Sequence, residues 1–445
     1  MCAKVIRLSD TAAQAIERLN EKGFEAYAVG GCVRDSMMGN LPQDWDITTN
    51  ALPEEMQAVF ADFRTLPTGI QHGTLTVLID GQPLEITTYR VDGSYSDNRH
   101  PDAVTFTRSL AEDLKRRDFT VNAMAYHPKT GVVDNHSGLA DLEQKRICCV
   151  GEPEVRFTED ALRILRALRF ASVLGFSIEK KTAEAIHRLH PLLRRVSPER
   201  IAAEWTKLLC GSHVKEILNE YPDVVGTVFP ELSPCVGLQQ ENPYHHLDVY
   251  AHTAETVAAI PAEPVLRLTM LFHDCGKPGC YTRDAEGIDH FRGHAPISAL
   301  LAEQALTRLR YDNQTVKRVK ELVLHHDDTL TPTDKCLKRL LNRFGDVDAF
   351  SLIAVQRADV MGQHPDKRDR LRELDGMSLR LQELLAEHCC YSLKDLAVNG
   401  KDLQEIGYSA GRELGDALFT LLEEVMDGDL PNERCSLLRR AQEIK

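Results

Sequence analysis

The sequence predicts a mixed α/β head followed by a remainder that is all α. The first ~145 residues alternate short apolar runs, helical periodicity and turn-forming residues. From Thr158 onward, apolar residues recur almost only at helical spacing. A chain of 445 residues is also too long for one compact core, so we expect three or four domains.

The composition is that of an ordinary globular protein. Hydrophobic residues make up 43% and charged residues 27%. No run of ~18 apolar residues occurs, so we expect no transmembrane helix and no membrane partner. The N-terminus lacks the apolar core of a signal peptide, which makes the cytoplasm the expected location. The 12 cysteines lack zinc-knuckle spacing and are expected to be reduced thiols.

The net charge of −14 argues against a broad nucleic-acid surface, because phosphate contacts need Lys and Arg. Net charge does not report how the charges are distributed, however. Arginines cluster at positions 116–117, at positions 163, 166 and 169, and at positions 194–195. A basic cleft on an acidic body is compatible with a modest RNA footprint.

In the head, the predicted elements follow one another closely. Helical periodicity over residues 11–19 ends near Gly23, a typical C-terminal glycine. A short strand at 26–29 runs into Gly30-Gly31, after which a helix starts. The later elements are a strand at 45–47, a helix at 53–60, and strands at 74–79 and 84–90. We expect a five-stranded mixed sheet, and a mobile polar loop at 92–101.

Prolines indicate the domain boundaries in the helical part. Pro230, Pro234 and Pro243 cluster between helical stretches, and a weaker boundary lies near Pro365. The predicted division is a head at 1–148, a helical neck at 149–235, a third domain at 243–365 and a helical tail at 366–445.

Asp44 and Asp46 are two residues apart, with Trp45 between them. On a strand, alternate side chains point the same way, so both carboxylates would share one face. Such a pair holds Mg²⁺ when phosphates and water complete the octahedron. Glu85, on a neighbouring predicted strand, offers the third carboxylate that two-metal phosphoryl chemistry needs. An isolated Asp-x-Asp is more often a solvated turn, so the interpretation depends on the residues around it.

Gly30-Gly31 favours a functional interpretation of the Asp44 and Asp46 pair. These glycines follow a predicted strand and open a helix. Backbone N–H groups at such a turn can approach a triphosphate closely. Arg34 lies one helical turn later and can reach the same anion. Glycines, a cation and paired acids in so short a stretch predict a triphosphate site.

Two segments carry a family resemblance. Residues 30–35 (Gly-Gly-Cys-Val-Arg-Asp), followed by residues 44–49 (Asp-Trp-Asp-Ile-Thr-Thr), resemble the class II tRNA nucleotidyltransferase and poly(A) polymerase family. Residues 116–123 (Arg-Arg-Asp-Phe-Thr-Val-Asn-Ala) resemble the second motif of that family. The resemblance implies a nucleotidyltransferase head in which Arg117, Asp118 and Asn122 bind the nucleotide. Cys32 departs slightly from the pattern, since a small residue such as Ala is usual there.

A second constellation lies at the start of the neck. Thr158 is a good N-cap for a helix predicted at 159–171, on which Asp160 and Arg163 would be neighbours. An accepting carboxylate beside a donating guanidinium matches the base edges of cytosine and adenine and mismatches those of uracil and guanine. Taken alone, such a pair is more often a surface ion pair. Residues 159–163 match the family's Glu-Asp-x-x-Arg motif, which implies a base-reading role.

Arg166 and Arg169 match further arginines of that motif, so the resemblance implies that both bind the nucleotide. Helical spacing supports Arg169 less, because steps of three drift by ~60° each and place it about opposite Asp160. The alternatives for Arg169 are a phosphate or RNA contact and a solvent-facing position.

The identity of the product also follows from resemblance. Residues 68–74 (Thr-Gly-Ile-Gln-His-Gly-Thr) and the loop at 92–101 resemble segments of enzymes that add the complete CCA. This implies addition of C, C and A to the 3′ end of tRNA from CTP and ATP, with a tRNA-binding tail near 399–432. Partial addition and poly(A) tailing are alternatives, and the loop is alternatively a plain connector. The oligomeric state stays open.

One further pattern resembles the ligand set of the HD superfamily of metal-dependent phosphohydrolases: His252, His273, Asp274 and Asp359. Imidazole and carboxylate groups suit transition metals, and other candidate ligands are His294 and either His325 or His326. The resemblance implies a second divalent metal in an HD domain at 243–365. Alternatively, this domain binds RNA without a metal. A phosphohydrolase whose N-terminal part docks RNA is therefore the competing function.

Overall fold

The computed structural model describes residues 6–67, 69–93 and 104–445. The chain forms two compact units, Met1–Pro230 and Glu231–Lys445. The predicted fold class is confirmed, because a mixed sheet with helices comes first and nearly all later elements are helices. The finer division into four domains stays a prediction. Within the described residues, no helix combines the length and the apolar character needed to span a bilayer.

The strands of the first unit are β1 Ala26–Val29, β2 Asp46–Thr49, β3 Arg64–Leu66, β4 Thr74–Ile79, β5 Gln82–Thr88, β6 Arg90–Asp92, β7 Val104–Phe106, β8 Met124–His127, β9 Gly131–Asp134, β10 Arg146–Ile147 and β11 Ser177–Ile178. The main sheet has seven strands in the order β3-β4-β5-β2-β1-β8-β9. The expected number of five is therefore wrong. The two edge strands, β3 and β9, are short and only partly buried, so they carry no clear alternation of apolar and polar residues.

The helices of the first unit are α1 Asp10–Glu21, α2 Gly31–Met38, α3 Pro53–Val59, α4 Leu110–Lys115, α5 Gly138–Glu143, α6 Pro153–Glu159, α7 Leu162–Leu174, α8 Lys180–Leu189, α9 Pro198–Leu209, α10 Val214–Glu220 and α11 Pro222–Val228. Helix α1 begins after Ser9, whose hydroxyl accepts the Ala12 N–H at 3.2 Å. It buries Ile16 and Leu19 in the same core as Ile47 and Ile86 of the sheet. This packing fixes the sheet on which the site residues stand.

Parallel pairing occurs between β2 and β5 in the centre of the main sheet, whereas the other neighbouring strands run antiparallel. In this register the Cα atoms of Asp46 and Glu85 are direct partners. Side chains of paired residues lie on the same face, so the topology brings these two carboxylates together from positions far apart in the chain.

The helices of the second unit are α12 Val249–Ala259, α13 Pro264–Phe272, α14 His294–Arg308, α15 Asn313–Leu324, α16 Asp334–Gly362, α17 Arg370–Ala386, α18 Gly400–Glu405, α19 Arg412–Asp427 and α20 Arg434–Ile444. A small hairpin, β12 Thr282–Arg283 with β13 Asp289–His290, interrupts them. Gly345, at φ 73°, kinks α16. Helices α12 to α16 pack around one group of buried histidines, and a separate apolar core joins α18, α19 and α20.

Candidate functional site

The double glycine forms the turn that was predicted between β1 and α2. Gly30 has φ 80° and ψ −129°, a conformation that is open almost only to glycine. A Cβ atom on Gly30 would lie 3.2 Å from Nη1 of Arg117, and one on Gly31 would lie 3.7 Å from Nη2 of Arg34. Two guanidinium groups therefore flank the first turn of α2. A helix start with two guanidinium groups beside it is an arrangement that attracts an anion.

The carboxylates lie at one end of the neighbouring strands. Asp46 is the first residue of β2, and Glu85 stands beside it on β5. Asp44 precedes β2, so the expectation that both residues lie on one strand is wrong. All three residues are exposed. A pocket lined by Asp46, Glu85, Arg90, Arg116 and Arg117 opens at this end of the strands.

The electrostatics of these groups favour a cation. Although Asp46 is exposed as a residue, the surrounding protein desolvates its carboxylate and raises its pKa; Glu85 and Asp44 raise it further, whereas Arg117 lowers it. The carboxylates thus repel one another in the absence of a counter-ion. In the described part of the chain, the groups of three or more potential ligands within 4.8 Å of one another lie in the second unit. An ion at the head carboxylates therefore needs additional ligands from substrate and water, as is usual for Mg²⁺.

Arg34 belongs to a chain of hydrogen bonds that reaches the neck. Its Nη1 donates to Oδ1 of Asn122 at 2.7 Å, and Nδ2 of Asn122 donates to Oδ1 of Asp118 at 3.3 Å. Arg166 then donates to Oδ2 of Asp118 from Nε at 2.8 Å and from Nη2 at 2.6 Å. Burial opposes ionisation of Asp118, but Arg166 overcomes it and lowers the pKa of that carboxyl to about 2. Asp118 and Asn122 consequently support Arg34 in its position.

The start of the neck differs from the expectation. Helix α6 ends at Glu159, Asp160 is extended at φ −138° and ψ 104°, and α7 begins at Leu162. The predicted helix over 159–171 and its N-cap at Thr158 are therefore wrong. Thr158 is the penultimate residue of α6, where its hydroxyl donates to the Glu154 carbonyl at 2.7 Å. The break arises because the Asp160 carboxylate accepts the Leu162 N–H at 3.1 Å and so starts a new helix.

Each of the two predicted base readers is held by a different partner. Nη2 of Arg200 donates to Oδ2 of Asp160 at 2.8 Å. Nη1 of Arg163 donates to Oε2 of Glu159 at 2.6 Å, and its Nη2 donates to the Arg116 carbonyl at 3.2 Å. Asp160 and Arg163 remain adjacent, since the Arg163 N–H bonds to the Asp160 carbonyl at 3.0 Å. We expected Asp160 and Arg163 to be neighbours on one helix, but a turn between two helices brings them together.

Three arginines of the predicted nucleotide site pack against the ring of Phe170. The Cζ atoms of Arg34, Arg166 and Arg169 lie 5.1, 5.5 and 4.1 Å from its centroid. Nε of Arg169 also lies 3.1 Å from Oε2 of Glu204, and its side chain is only 13% exposed. The solvent-facing alternative for Arg169 is therefore wrong.

Arg200 and Glu204 are the residues that sequence reasoning missed. They are four apart on α9, a spacing that places both on one face of that helix and is a detectable signal.

The segment that resembles CCA-adding enzymes is described only in part. Ile70–His72 forms a single turn before β4. Thr74 lies beside Thr87, with 3.0 Å between their hydroxyl oxygens, and both line the pocket. Thr68 and most of the predicted loop at 92–101 lie outside the described residues.

In the second unit, the four predicted metal ligands come together. His252 stands on α12, His273 and Asp274 directly follow α13, and Asp359 stands on α16. Nε2 of His252 is 2.9 Å from Oδ1 of Asp359, and Nε2 of His273 is 3.2 Å from Oδ2 of Asp274. The ligand atoms of all four lie within 4.8 Å of one another. His325 does not join them, since its ring contacts Asp328.

Charge compensation keeps both carboxylates of this group ionised. Burial alone would raise the pKa of Asp274, but His273 and Lys277 hold it well below its usual range. Burial likewise opposes ionisation of Asp359, and His252 and His273 hold its pKa low. Paired in this way, both groups have the charge that an anionic metal ligand needs.

Three family models match the chain. They are a poly A polymerase head domain over residues 26–148, a probable RNA and SrmB-binding site of polymerase A over 175–233, and a putative tRNA nucleotidyltransferase domain 2 over 295–441. Residues 234–294, which include His252, His273 and Asp274, lie outside the three matches. The resemblance to HD proteins therefore stays a prediction.

Curated relatives extend over the whole chain. The CCA-adding enzyme of Enterococcus faecalis is 34% identical over 432 residues, which cover 97% of this chain and 95% of the relative. The CCA-adding enzyme of Lactobacillus delbrueckii subsp. bulgaricus is 35% identical, with 97% and 98% covered.

Solved structures agree with these relatives. The Bacillus stearothermophilus CCA-adding enzyme in complex with CTP has 30% identity and a TM-score of 0.74, covering 97% of this chain and 96% of that one. The Thermotoga maritima CCA-adding enzyme complexed with tRNA-CCA has 18% identity and a TM-score of 0.60, a similarity of fold alone.

Proposed function

We propose, because this chain belongs to the family of bacterial CCA-adding tRNA nucleotidyltransferases, that it adds C, C and A to the 3′ end of tRNA with CTP and ATP as donors. The observation that carries the proposal is that cationic and anionic side chains lie near one another at the Gly30 turn and the pocket. Arg34 and Arg117 flank the Gly30 turn, and Asp46 and Glu85 face the pocket that Arg117 also lines. A triphosphate bound at the cations would have its α-phosphate close to the carboxylates.

Asp44 and Asp46 are the residues that would hold Mg²⁺. The donor set fits, since both are carboxylates, the ligand type that a hard cation prefers, and since desolvation and then the charges of Glu85 and Asp44 raise the pKa of Asp46. The bound metal would neutralise charge on the attacked phosphate and on the leaving pyrophosphate, as in two-metal nucleotidyl transfer.

The protein groups supply positioning and proton transfer. Glu85 accepts the proton of the tRNA 3′-hydroxyl as the new bond from O3′ to the α-phosphorus forms. The bond from that phosphorus to the β-phosphate oxygen breaks, and pyrophosphate leaves. Gly31 offers its N–H, and Arg34 and Arg117 hold the negative charge of the leaving group.

Base selection is assigned to Asp160 and Arg163, with Arg166 and Arg169 as further nucleotide contacts. Both oxygens of Asp160 are anchored, one by the Leu162 N–H and one by Arg200. A carboxylate oxygen has a second lone pair, so Asp160 can still accept the amino group of C or A. Uracil and guanine would place an acceptor there and leave buried polar groups unpaired, at a cost of ~1–3 kcal/mol.

The deciding experiment is primer extension on tRNA that lacks CCA, with Mg²⁺ and each nucleoside triphosphate alone and together. We expect two C residues and then one A, with UTP and GTP refused. A long A tail would instead assign the chain as a poly(A) polymerase. Partial addition would stop after CC or require a primer that already ends in CC.

The base-reading assignment has its own test. Asp160→Ala should lower the preference for CTP over UTP by roughly 10- to 100-fold, which corresponds to the cost of an unpaired polar group. Glu154→Ala, an exposed change on α6, is the matched control and should leave the preference unchanged. A variant of Asp160 that still refuses UTP would remove this residue from base reading.

A second candidate function belongs to the second unit. The gathering of His252, His273, Asp274 and Asp359 supports metal-dependent hydrolysis of a phosphoester, in which water adds to phosphorus, the P–O bond to the alcohol breaks and the alcohol oxygen takes the proton. With Mn²⁺, the full chain should release phosphate from nucleotides, and Asp359→Asn should abolish the release while CCA addition continues. Release that survives Asp359→Asn would reject this function.

A further inference from the structure

Asp113 is a buried carboxylate of the head that the mechanism above does not use. It stands on α4, three residues before Arg116 and four before Arg117, a spacing at which ion pairs on a helix surface are common. Such surface pairs are exposed and contribute little. The side chain of Asp113 has instead no exposed surface. A carboxylate buried so completely needs several donors, so its partners show what it holds in place.

The partners of Asp113 come from three parts of the head. Oδ1 accepts from Nε of Arg116 at 2.9 Å, from Nη2 of Arg116 at 2.7 Å and from the Arg90 N–H at 3.3 Å. Oδ2 accepts from Nη2 of Arg117 and from the Thr48 hydroxyl, both at 3.3 Å. Burial opposes ionisation, but Arg117 and Arg116 hold the pKa of Asp113 below its ordinary value. The group is therefore an anion shared by two arginines that line the pocket.

The contact with Asp113 uses only one end of the Arg117 guanidinium. Nη2 is bound to the carboxylate, whereas Nη1 is the atom that a Cβ on Gly30 would meet at 3.2 Å. Nε of Arg117 is buried and has no hydrogen-bond partner within the described part of the chain. A buried donor without a partner is costly unless a ligand accepts its hydrogen. Arg117 is thus anchored through Nη2 and keeps other donors for an anion at the Gly30 turn.

Asp113 also fixes Arg117 relative to the strand of the head carboxylates. Thr48, which donates to the same oxygen as Arg117, stands two residues after Asp46 on β2. Side chains two apart on a strand leave it on the same face. One buried carboxylate therefore joins the strand that begins at Asp46 to the guanidinium of Arg117.

Asp46 and Glu85 are the competing partners for Arg117, because all three line one pocket. Desolvation raises the pKa of Asp46, and the charge of Arg117 acts against it, so the two groups attract each other. An arginine that moved onto these carboxylates would turn away from the Gly30 turn. Asp113 opposes this movement, since it holds Nη2 from the buried side.

We propose that Asp113 is a positioning residue, which aims Arg117 at the triphosphate of the incoming nucleotide. It acts through Arg117 and touches neither the nucleotide nor the metal. This role rests on the proposed nucleotidyl transfer, because the anion concerned is the triphosphate of the donor. The contact to the strand of Asp46 sets where the arginine stands, and the burial of Asp113 makes that position rigid.

The test is calorimetric titration of the full chain with CTP, CMP and inorganic tripolyphosphate, in Mg²⁺ and without tRNA. Asp113→Asn keeps the shape of the side chain and removes its charge. It should weaken binding of CTP and tripolyphosphate by roughly 10- to 100-fold, because a displaced arginine loses a charge-assisted contact. CMP lacks the outer phosphates and should bind the variant and the original protein alike. A defect of the fold alone would weaken all three ligands.

Asp289→Asn is the matched control. Asp289 is also a buried carboxylate with an arginine partner, since it lies 3.3 Å from Nε of Arg283, but it belongs to the second unit. Its side chain is 3% exposed, and it accepts the Glu241 N–H at 2.8 Å. The substitution should lower the free energy of unfolding and leave the three affinities unchanged.

Variants of Arg117 separate positioning from any other role of Asp113. Arg117→Met should weaken CTP binding at least as much as Asp113→Asn does, and Asp113→Asn should add little in that background. Arg117→Lys keeps the charge, but an ammonium cannot hold Asp113 at one end and present fixed donors at the other. It should lose nearly as much affinity as Arg117→Met. This variant keeps Asp113 and so tests the proposal even if Asp113→Asn does not fold.

Four outcomes would overturn the proposal. They are normal CTP affinity in folded Asp113→Asn, equal weakening of CMP and CTP, a full effect of Asp113→Asn on top of Arg117→Met, and an Arg117→Lys variant that binds CTP as tightly as the original protein. The proposed function is judged separately by primer extension. A chain that adds nothing to tRNA, but loses triphosphate affinity in Asp113→Asn, would reject CCA addition and leave the positioning role in place.

Discussion

The two units present their ligands in opposite ways. The head carboxylates Asp44, Asp46 and Glu85 are exposed, and the last two line an open pocket. The histidines of the second unit are instead buried, and backbone carbonyls hold their rings. A site of the first kind is completed by its substrate, because the phosphates bring the missing oxygen ligands. A site of the second kind has its protein ligands together before any substrate arrives. The difference teaches that residue type alone does not describe a metal site, since burial decides what else must be supplied.

The largest expected effect separates activity from stability in the head. Asp46→Asn should lower nucleotidyl transfer by roughly 10³-fold, because the loss of a metal ligand removes several kcal/mol of transition-state stabilisation. Its free energy of unfolding should change by less than ~0.5 kcal/mol, since the residue is exposed. Single-turnover extension and urea unfolding measure the two quantities. Glu17→Gln, an exposed change on α1, is the control and should alter neither. Normal turnover in Asp46→Asn would remove this residue from the site.

The second effect sharpens the comparison with a buried carboxylate of the head. In the folded protein the pKa of Asp118 is about 2, against an ordinary value of 3.8, because the charge of Arg166 outweighs the effect of burial. A pKa that is lowered by folding adds stability above pH ~4, and this stability is lost as the pH falls through about 2. Asp118→Asn should therefore cost roughly 2 kcal/mol at pH 7.

Urea unfolding of the original protein and of Asp118→Asn at several pH values between 7 and 3 tests whether this stabilisation falls with pH. The difference between the two proteins should be largest at pH 7 and should shrink toward pH 3. Asp62→Asn, which removes an exposed partner of Arg18, should show a smaller pH-dependent difference. A difference that stays constant with pH would mean that the ion pair with Arg166 does not stabilise the fold through its charge.

The parts of the head that sequence reasoning captured are local. Gly30-Gly31 needs only its own backbone to make the turn, and the spacing of Asp44 and Asp46 lies within one stretch of chain. The break at Asp160 was missed because a side chain that bonds to the Leu162 N–H competes with the helix, and periodicity does not report that competition. Arg200 was missed because it reaches Asp160 from α9, which lies 40 residues further along the chain.

In the second unit, prediction from the sequence was limited by a different cause. Residue types indicated a histidine and aspartate site but left His325 and His326 as equal candidates. His325 and His326 form the turn that follows α15, and only the packing of this turn against α14 shows that His326 meets His294 while His325 contacts Asp328. The contacts of Asp274 with both His273 and His294 were likewise invisible, because they depend on which way each carboxylate oxygen points.

The smallest effect tests whether the Gly30 turn serves the site or only the fold. Gly30→Ala and Gly39→Ala both add a Cβ at positive φ, 80° and 84°. Both should destabilise the protein, Gly39→Ala by ~1 kcal/mol and Gly30→Ala by up to ~3 kcal/mol, since ψ at Gly30 lies in a region open almost only to glycine. Only the Cβ on Gly30 approaches Arg117, at 3.2 Å, whereas no atom lies within 4 Å of the one on Gly39.

Gly30→Ala should therefore raise the KM for CTP roughly tenfold, because a displaced Arg117 no longer meets the triphosphate. Gly39→Ala should leave KM unchanged, although it also strains the end of α2. Steady-state extension at a temperature where both variants are folded separates the two effects. Equal KM values in the two variants would mean that the turn shapes the fold without positioning the cation. The anion site would then rest on Arg34 and the helix N-terminus alone.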